Sequence, residues 1–336
     1  MASRRAATLQ DVADRCGVSR GTASRALTGD GRVSAATRAR VAAAAAELDY
    51  ATNHGARNLR RARAGSIGLW LPRGLRFTDY YMNFAFGVAE SLRDKEMTVS
   101  LISDEYPAAR ANALHVDGFV MADVDGEDPL ARAILEAGRP VVTSELVPAH
   151  LPQPDVTVAA DHPAATRLLL DRLRGGGARS VAVLTVPDDQ MWVRGVNRAA
   201  EDWAGETGVG VTFHRLHGVP AASELQLIVE GLVRSIPDMD AILCVPEGLG
   251  VGILSSLREL GRAVPDDVQV ACYVDSPTLP IVQPPISAMD LRPRDAGARA
   301  GEILIALIEG DRDADAPRAE SFDVIFRERA STRPVR

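Results

Sequence analysis

The stretch Thr8–Leu27, TLQDVADRCGVSRGTASRAL, reads as two short helices joined by a tight turn. Leu9, Val12, Ala13 and Cys16 fall at i, i+3, i+4 and i+7, which gives the first helix one apolar face. Thr8 and Asp11 have the spacing of a capping box, in which each side chain satisfies a free amide N–H of the first turn. Gly17 supplies the left-handed conformation that stops this helix. Ser19 is placed to cap the second helix, with Val18 and Ala23 as a hydrophobic staple across its start. On that helix Ala23, Ala26 and Leu27 point one way, and Arg20, Gly21, Ser24 and Arg25 the other. An apolar inner face and an Arg/Ser outer face suit a helix laid into a DNA major groove. The same residues also suit an ordinary capped helical hairpin with a solvated face.

Working outward, LTGDGRV (27–33) makes a Gly-rich loop, and Ser34 caps a long helix running through Asp49 with Val41, Ala45 and Leu48 inward. The alanines from Ala42 to Ala46 favour helix and allow close packing. Three helices in residues 1–50 form a small head. Residues 51–64, ATNHGARNLRRARA, show no strand pattern. Asn53 can cap a short helix through Leu59, but one too short to persist alone in water, and Gly55 weakens it further. Composition alone favours a flexible basic linker there.

Charge divides the chain in the same place. Residues 1–64 carry 12 arginines against five acidic residues, net +7, while the whole 336-residue chain is −7, leaving −14 on the remainder. A basic head on an acidic body fits a polyanion bound at the head. Lys95 is the only lysine. Cys16, Cys244 and Cys272 lie far apart in sequence without a CxxC pair, which predicts reduced thiols in a cytoplasmic protein and no zinc site. His214 and His217 are the only closely spaced histidines and lack partner ligands, so neither metal nor cofactor is expected. No segment is apolar enough to span a membrane, and MASRRAATLQD lacks the apolar run of a signal peptide.

From Ser66 the pattern alternates. Apolar runs at 67–72, 98–103, 117–121 and 139–144 are separated by helical stretches near 80–94 and 128–138. The alternation restarts with runs at 180–186, 240–246 and 268–274 and helices near 162–174, 190–206, 222–235 and 249–261. This predicts an α/β body of two doubly wound parallel-sheet subdomains, with ligands beyond the carboxyl ends of the strands. Catalytic motifs are missing: Gly175-Gly176-Gly177 follows a helix and precedes a strand, the wrong order for a phosphate loop, and no Gly-x-Ser-x-Gly elbow occurs.

With these pieces in order the chain resembles the lactose-repressor/galactose-repressor (LacI/GalR) family of bacterial transcription regulators over nearly its whole length. The motifs are the opening stretch, VSAATRARVAAAAAELDY (33–50), TNHGARNL (52–59), IGLWLP (67–72), HVDGFVM (115–121), LRELGRAVPDDVQVACY (257–273), QPPISAMDL (283–291) and FRERAST (326–332). The resemblance implies a helix-turn-helix head (1–50), a hinge (51–64) and a periplasmic-binding-protein-like effector and dimerisation body (65–336). Its N-subdomain would comprise about 65–160 and 292–322, and its C-subdomain about 161–291 and 323–336. Carried over, Arg20, Gly21 and Arg25 occupy base-reading positions, with Gly21 silent for want of a side chain. Thr8, Ser19, Thr22, Ser24, Ser34, Thr37, Tyr50 and Asn53 occupy phosphate positions, and Ala56 and Leu59 lie on the hinge, Leu59 matching a leucine that wedges into the minor groove. The resemblance thus turns the linker into a DNA-induced helix, although Thr52 and Gly55 depart from the usual proline and larger apolar residue.

The implied partners are double-stranded operator DNA, a second copy in a homodimer and a small-molecule effector, a sugar or a less polar metabolite. The implied location is cytoplasmic, at the nucleoid. Tetramers are not expected, because no heptad tail follows. Effector positions fall on Tyr80, Tyr81, Met82, Glu145, Asp161, Trp192, Arg194, Pro246, Val274, Asp275 and Leu291, with Arg194 as the grip on ligand oxygens. Asn197-Arg198 replaces the usual Gly-Phe, and Pro246, Val274 and Leu291 replace polar anchors. Two readings stay open: a ligand less hydroxylated than a sugar, or a cleft that senses nothing on an effector-independent architectural protein. The segment after Asp104 is short, which predicts a truncated second helix in the N-subdomain.

Overall fold

The structure is a computed structural model that describes residues 7–28, 32–50, 63–72, 78–103, 105–313 and 315–335. The chain divides into two compact units, residues 1–64 and 65–336.

The first unit holds α1 (Leu9–Cys16), α2 (Arg20–Thr28) and α3 (Ala35–Glu47). Each helix start has its own hydrogen-bonding residue. Thr8 N–H donates to Asp11 Oδ2 at 2.7 Å while Asp11 N–H donates to Thr8 Oγ1 at 3.3 Å, completing the capping box. Ser19 Oγ accepts from Thr22 N–H at 3.1 Å, and Ser34 Oγ from Thr37 N–H at 3.2 Å. Gly17, at φ 63°, ends α1 in the left-handed region. The small core consists of Val12, Ala13, Cys16, Ala23, Ala26, Val41, Ala44 and Ala45, closed by the half-buried Leu27, Leu48 and Tyr50.

In the second unit, strands and helices alternate into two lobes. The first contains β1 (Ser66–Trp70), α4 (Asp79–Ser91), β2 (Thr98–Leu101), a 3-10 helix (Ala108–Ala113), β3 (Phe119–Ala122), α5 (Pro129–Leu135), β4 (Val141–Ser144) and β5 (Val156–Ala160). The 3-10 helix stands where a truncated helix was expected. The second contains α6 (His162–Gly175), β6 (Ser180–Thr185), α7 (Met191–Thr207), β7 (Gly210–Arg215), α8 (Ala222–Ser235), β8 (Ala241–Cys244), α9 (Gly250–Glu259), β9 (Gln269–Cys272) and β10 (Ser287–Asp290). The chain then returns to the first lobe with α10 (Pro293–Glu309) and β11 (Ala319–Phe322), and to the second with β12 (Ile325–Arg327).

Each lobe is built on a six-stranded sheet, β11-β5-β4-β3-β1-β2 in one and β12-β10-β9-β8-β6-β7 in the other. All pairings are parallel except that of β10 with β12. The central strands β3, β4, β8 and β9 are buried throughout, as expected where helices cover both faces. β5, β7, β10, β11 and β12 were not among the expected runs. β7, β11 and β12 alternate between exposed and half-buried positions at sheet edges, and β10 is built from Ser287, Ala288, Met289 and Asp290. α10 was also unexpected, because Gly297 and Gly301 dilute its helical signal.

Two local features explain earlier anomalies. The glycine triplet after α6 makes room for the C-terminal segment: a Cβ on Gly175 would lie 2.9 Å from Val335 Cγ1, and one on Gly176 would lie 2.9 Å from the Arg333 carbonyl oxygen. Cys244 and Cys272, distant in sequence, are register neighbours on β8 and β9, and both are buried free thiols. No helix is long and apolar enough to cross a membrane, and no metal-binding cluster occurs, among the described residues.

Candidate functional site

On the head, the second helix presents two faces. Ala23 and Ala26 are buried, whereas Arg20, Gly21 and Arg25 are exposed and Thr22 and Ser24 half-buried. Arg25 Nε donates to the Gly21 carbonyl at 3.2 Å, so its guanidinium lies along its own helix. Ser19 and Thr22 hydroxyls are 2.9 Å apart, as are those of Ser34 and Thr37, and the Thr8 hydroxyl donates to Asp11 Oδ2 at 2.7 Å. Asn53, Ala56 and Leu59 lie outside the described residues.

In the body, a cavity of about 170 Å³ opens between the two lobes at the carboxyl ends of both sheets. The first lobe supplies Tyr80 and Tyr81 from the first turn of α4, Asp123 after β3 and Glu145 after β4. The second supplies His162 at the start of α6, Val186 after β6, Gln190 and Trp192 around the start of α7, Pro246 and Glu247 after β8, Val274 after β9 and Leu291 after β10. Seven of the residues expected at the effector thus meet here: Tyr80, Tyr81, Glu145, Trp192, Pro246, Val274 and Leu291.

Four do not line it, each for a physical reason. Asp161 is the N-cap of α6, accepting from Ala164 N–H at 2.9 Å. Arg194 is exposed on the first turn of α7, and its Nη2 donates to the Asp188 carbonyl at 2.9 Å. Asp275 takes a bidentate pair from Arg329, at 2.8 and 2.6 Å. Met82 is 41% exposed, because Tyr81, Phe84 and Val88 take the inward face of α4. The Asn197 that replaces a glycine is buried, with Thr185 Oγ1 donating to its Oδ1 at 2.8 Å and its Nδ2 donating to Asp188 Oδ1 at 2.6 Å. It ties the loop beside the cavity to β6.

At the polar centre of the cavity the sequence reading named Glu145 but missed Asp123 and His162. Asp123, Glu145 and His162 are each only 5% exposed. His162 Nε2 lies 2.8 Å from Glu145 Oε2, but without hydrogen-bond alignment, while its Nδ1 is 2.8 Å from the Tyr273 hydroxyl. The Tyr81 hydroxyl donates to Asp123. Burial, and then the neighbouring Glu145 charge, push the Asp123 carboxyl up to about 7, against the opposing pull of the Tyr81 bond and His162. Burial opposes protonation of His162, yet Glu145 outweighs it and holds the imidazole above its ordinary value. Burial raises Tyr80 and Tyr81 well above the ordinary phenol range. Glu247 reaches from the second lobe to the start of α4, accepting from Asp79 N–H at 3.0 Å and Tyr80 N–H at 3.2 Å. Asp123, Glu145 and Glu247 are the first polar side chains after the apolar runs of β3, β4 and β8, and that position was the available signal. His162 follows β5, which the apolar runs did not reveal.

Comparison with known proteins agrees with this fold. The model of bacterial regulatory proteins of the lacI family matches residues 8–53, and that of the periplasmic binding protein-like domain matches residues 170–332. The transcriptional regulator CelR of Thermobifida fusca is 30% identical over 93% of this chain and 94% of its own length. The regulator GntR of Escherichia coli K12 is 28% identical over 90% and 92%. Among solved structures, a CelR–cellobiose complex matches 97% of this chain and 99% of its own at TM-score 0.70 and 26% identity. The lac repressor dimer bound to operator and the anti-inducer ONPF shares the fold at TM-score 0.81 and 21% identity, over 98% and 99%. A capped helix pair with an arginine-bearing outer face, a two-lobed parallel-sheet body and a full-length relative at this identity lead to one assignment: the chain belongs to the LacI family of DNA-binding transcription regulators.

Proposed function

We propose that the protein is a cytoplasmic repressor that binds a near-palindromic operator as a homodimer, with α2 of each copy in a major groove and a small molecule in the interlobe cavity modulating the complex. The observation that carries this reading is the division of α2, whose alanines are buried while Arg20, Gly21 and Arg25 remain exposed. Arg20 and Arg25 are then the base readers, an arginine bonding to guanine O6 and N7 being worth about 1–3 kcal/mol of discrimination. Thr8, Ser19, Thr22, Ser24, Ser34, Thr37, Tyr50 and Asn53 position the phosphates, and on the hinge, which also carries Ala56, Leu59 is the minor-groove wedge. The lac repressor's complex with operator and the CelR complex with cellobiose support this pairing of activities. The buried polar groups of the cavity favour a ligand-binding cleft over an inert scaffold, since such groups are costly to leave without partners.

The test is selection of duplexes from a random pool at fixed salt, followed by affinity for the selected palindrome against a scrambled duplex. A preference of ~10³-fold or more is expected of a regulator. Arg25→Ala should relax that preference, whereas Thr22→Ala should weaken both duplexes alike. Equal affinity for palindrome and scrambled DNA would refute the reading.

A further inference from the structure

Two features of the interlobe cavity speak to the charge of what it holds. Among the described residues lining it there is no lysine or arginine, while Asp123, Glu145 and Glu247 contribute three carboxylates. The places where a protein without such cations would still receive an anion are helix N-termini, whose free N–H groups and dipole favour negative charge. Of the three described helix ends at the cavity, two are already occupied by the protein's own carboxylates, Glu247 accepting the first N–H groups of α4 and Asp161 capping α6, while α7 starts at Gln190 without a side-chain cap. An anionic ligand therefore meets three carboxyl groups, with only the start of α7 and His162 to offset them.

The same surroundings suit a cation. His162 is buried and lines the cavity with its Nε2 lacking an aligned hydrogen-bond partner, beside Glu145 Oε2. A ligand N–H group placed at this edge gains the Glu145 carboxylate as acceptor. Tyr80 and Trp192 line the cavity with aromatic rings, which attract a cation through their negative faces. Much of the remaining wall, Val186, Pro246, Val274 and Leu291, is apolar, and beyond the carboxyls, tyrosines and His162 only Thr78 and Gln190 of the described residues bring polar side chains for a many-hydroxyl ligand. The volume of this partly open cavity, about 170 Å³, is close to the ~150 Å³ that admits benzene, so it has room for one ring.

We propose that the effector of this cleft is a small cationic amine carried on a single ring, with Asp123 and Glu145 as its countercharge and Tyr80 and Trp192 beside its ring. This rests on the effector-cleft reading above. The test is isothermal titration of the full-length protein at about pH 7 with two shape-matched sets: glucosamine, glucose and glucuronate, and cyclohexylamine, cyclohexanol and cyclohexanecarboxylate. In at least one set the amine should bind tenfold or more tighter than its neutral counterpart, and the carboxylate should give no binding heat. Asp123→Asn and Glu145→Gln should each lower amine affinity tenfold or more, and lower neutral-probe affinity by clearly less. The probe ordering needs no variant, so it decides the matter even if a substitution disturbs folding. Binding of a neutral or anionic probe without preference for the amine overturns the proposal and leaves the effector cleft standing. Silence from all six overturns both.

Discussion

Asp123 and Glu145 are held at φ 46° and 75°, in the left-handed region that non-glycine residues seldom occupy. Both follow directly on parallel strands, and both turn their carboxyls into the space between the lobes. Unfavourable backbone and buried charge at the same residues are what a binding site, rather than a folding core, accumulates. A consequence can be measured without knowing the ligand. Asp123 titrates near 7 in the folded protein and near 3.8 when unfolded, so between those values the folded state holds a proton that the unfolded state releases. His162 is raised as well, with Glu145's charge overcoming the burial that opposes it, and Glu247 is raised chiefly by burial. All three contributions have one sign: stability is greatest at low pH within this window and falls as pH rises through about 7. Tyr80 and Tyr81, the other groups facing Asp123, are shifted upward and stay neutral throughout. Thermal denaturation should therefore show a Tm several degrees lower at about pH 8 than at about pH 5.5. Asp123→Asn keeps an acceptor for the Tyr81 hydroxyl without the titrating proton, and should reduce that difference by half or more. An unchanged pH dependence in this variant would place the proton elsewhere.

Among the elements, the closest meeting is between α4 and α10. A Cβ on Gly87 would stand 1.9 Å from the Arg294 carbonyl oxygen, one on Gly297 2.1 Å from the Phe84 carbonyl oxygen, and one on Gly301 2.0 Å from Ser91 Oγ. Two of these contacts are with backbone, which cannot swing aside. In an open helix a Gly→Ala change gains about 1 kcal/mol, so the sign of the effect separates propensity from packing. Gly297→Ala should cost about 1–3 kcal/mol, lowering Tm by several degrees, because the two helices must move apart. Gly231→Ala, on α8 where a Cβ meets nothing within 4 Å, should instead raise Tm by a few degrees. If both substitutions shifted Tm the same way, the close crossing would have no energetic weight. These glycines also mark the limit of what could be read from the chain alone. Periodicity and capping residues found α1 to α3, with Thr8, Gly17, Ser19 and Ser34 at their ends, because those rules are local. The long apolar runs likewise gave the central strands. α10 escaped because its glycines serve a helix more than 200 residues earlier, and Asp123 and Glu247 escaped because separate strands bring them together in the cavity.

At the scale of the whole body, the two lobes meet through side chains that span the cavity. His162 on the second lobe faces Glu145 on the first, and Glu247 on the second receives the leading N–H groups of α4 on the first. Thr78, at the N-cap position of α4, makes no side-chain bond to those groups, so a carboxylate from the opposite lobe does the capping. A helix end satisfied across a cleft is a latch, because opening leaves its N–H groups to water and Glu247 without its two donors. Hydrogen bonds to a charged acceptor contribute about 1.5–3 kcal/mol each, discounted here because Glu247 is only half-buried and water competes. Even about 1.4 kcal/mol is tenfold in the balance between open and closed lobes. Glu247→Ala should shift that balance toward open by tenfold or more, and Glu247→Gln, with one acceptor left, by less. Trp192 reports the change, since it is half-buried in the cavity while Trp70 and Trp203 are each 1% exposed in the lobe cores. The Ala variant should show red-shifted tryptophan emission and a larger radius of gyration by solution scattering, with the Gln variant intermediate. Emission and radius identical to those of the unaltered protein would mean that lobe closure is maintained by the His162–Glu145 contact and the apolar wall, with Glu247 contributing nothing.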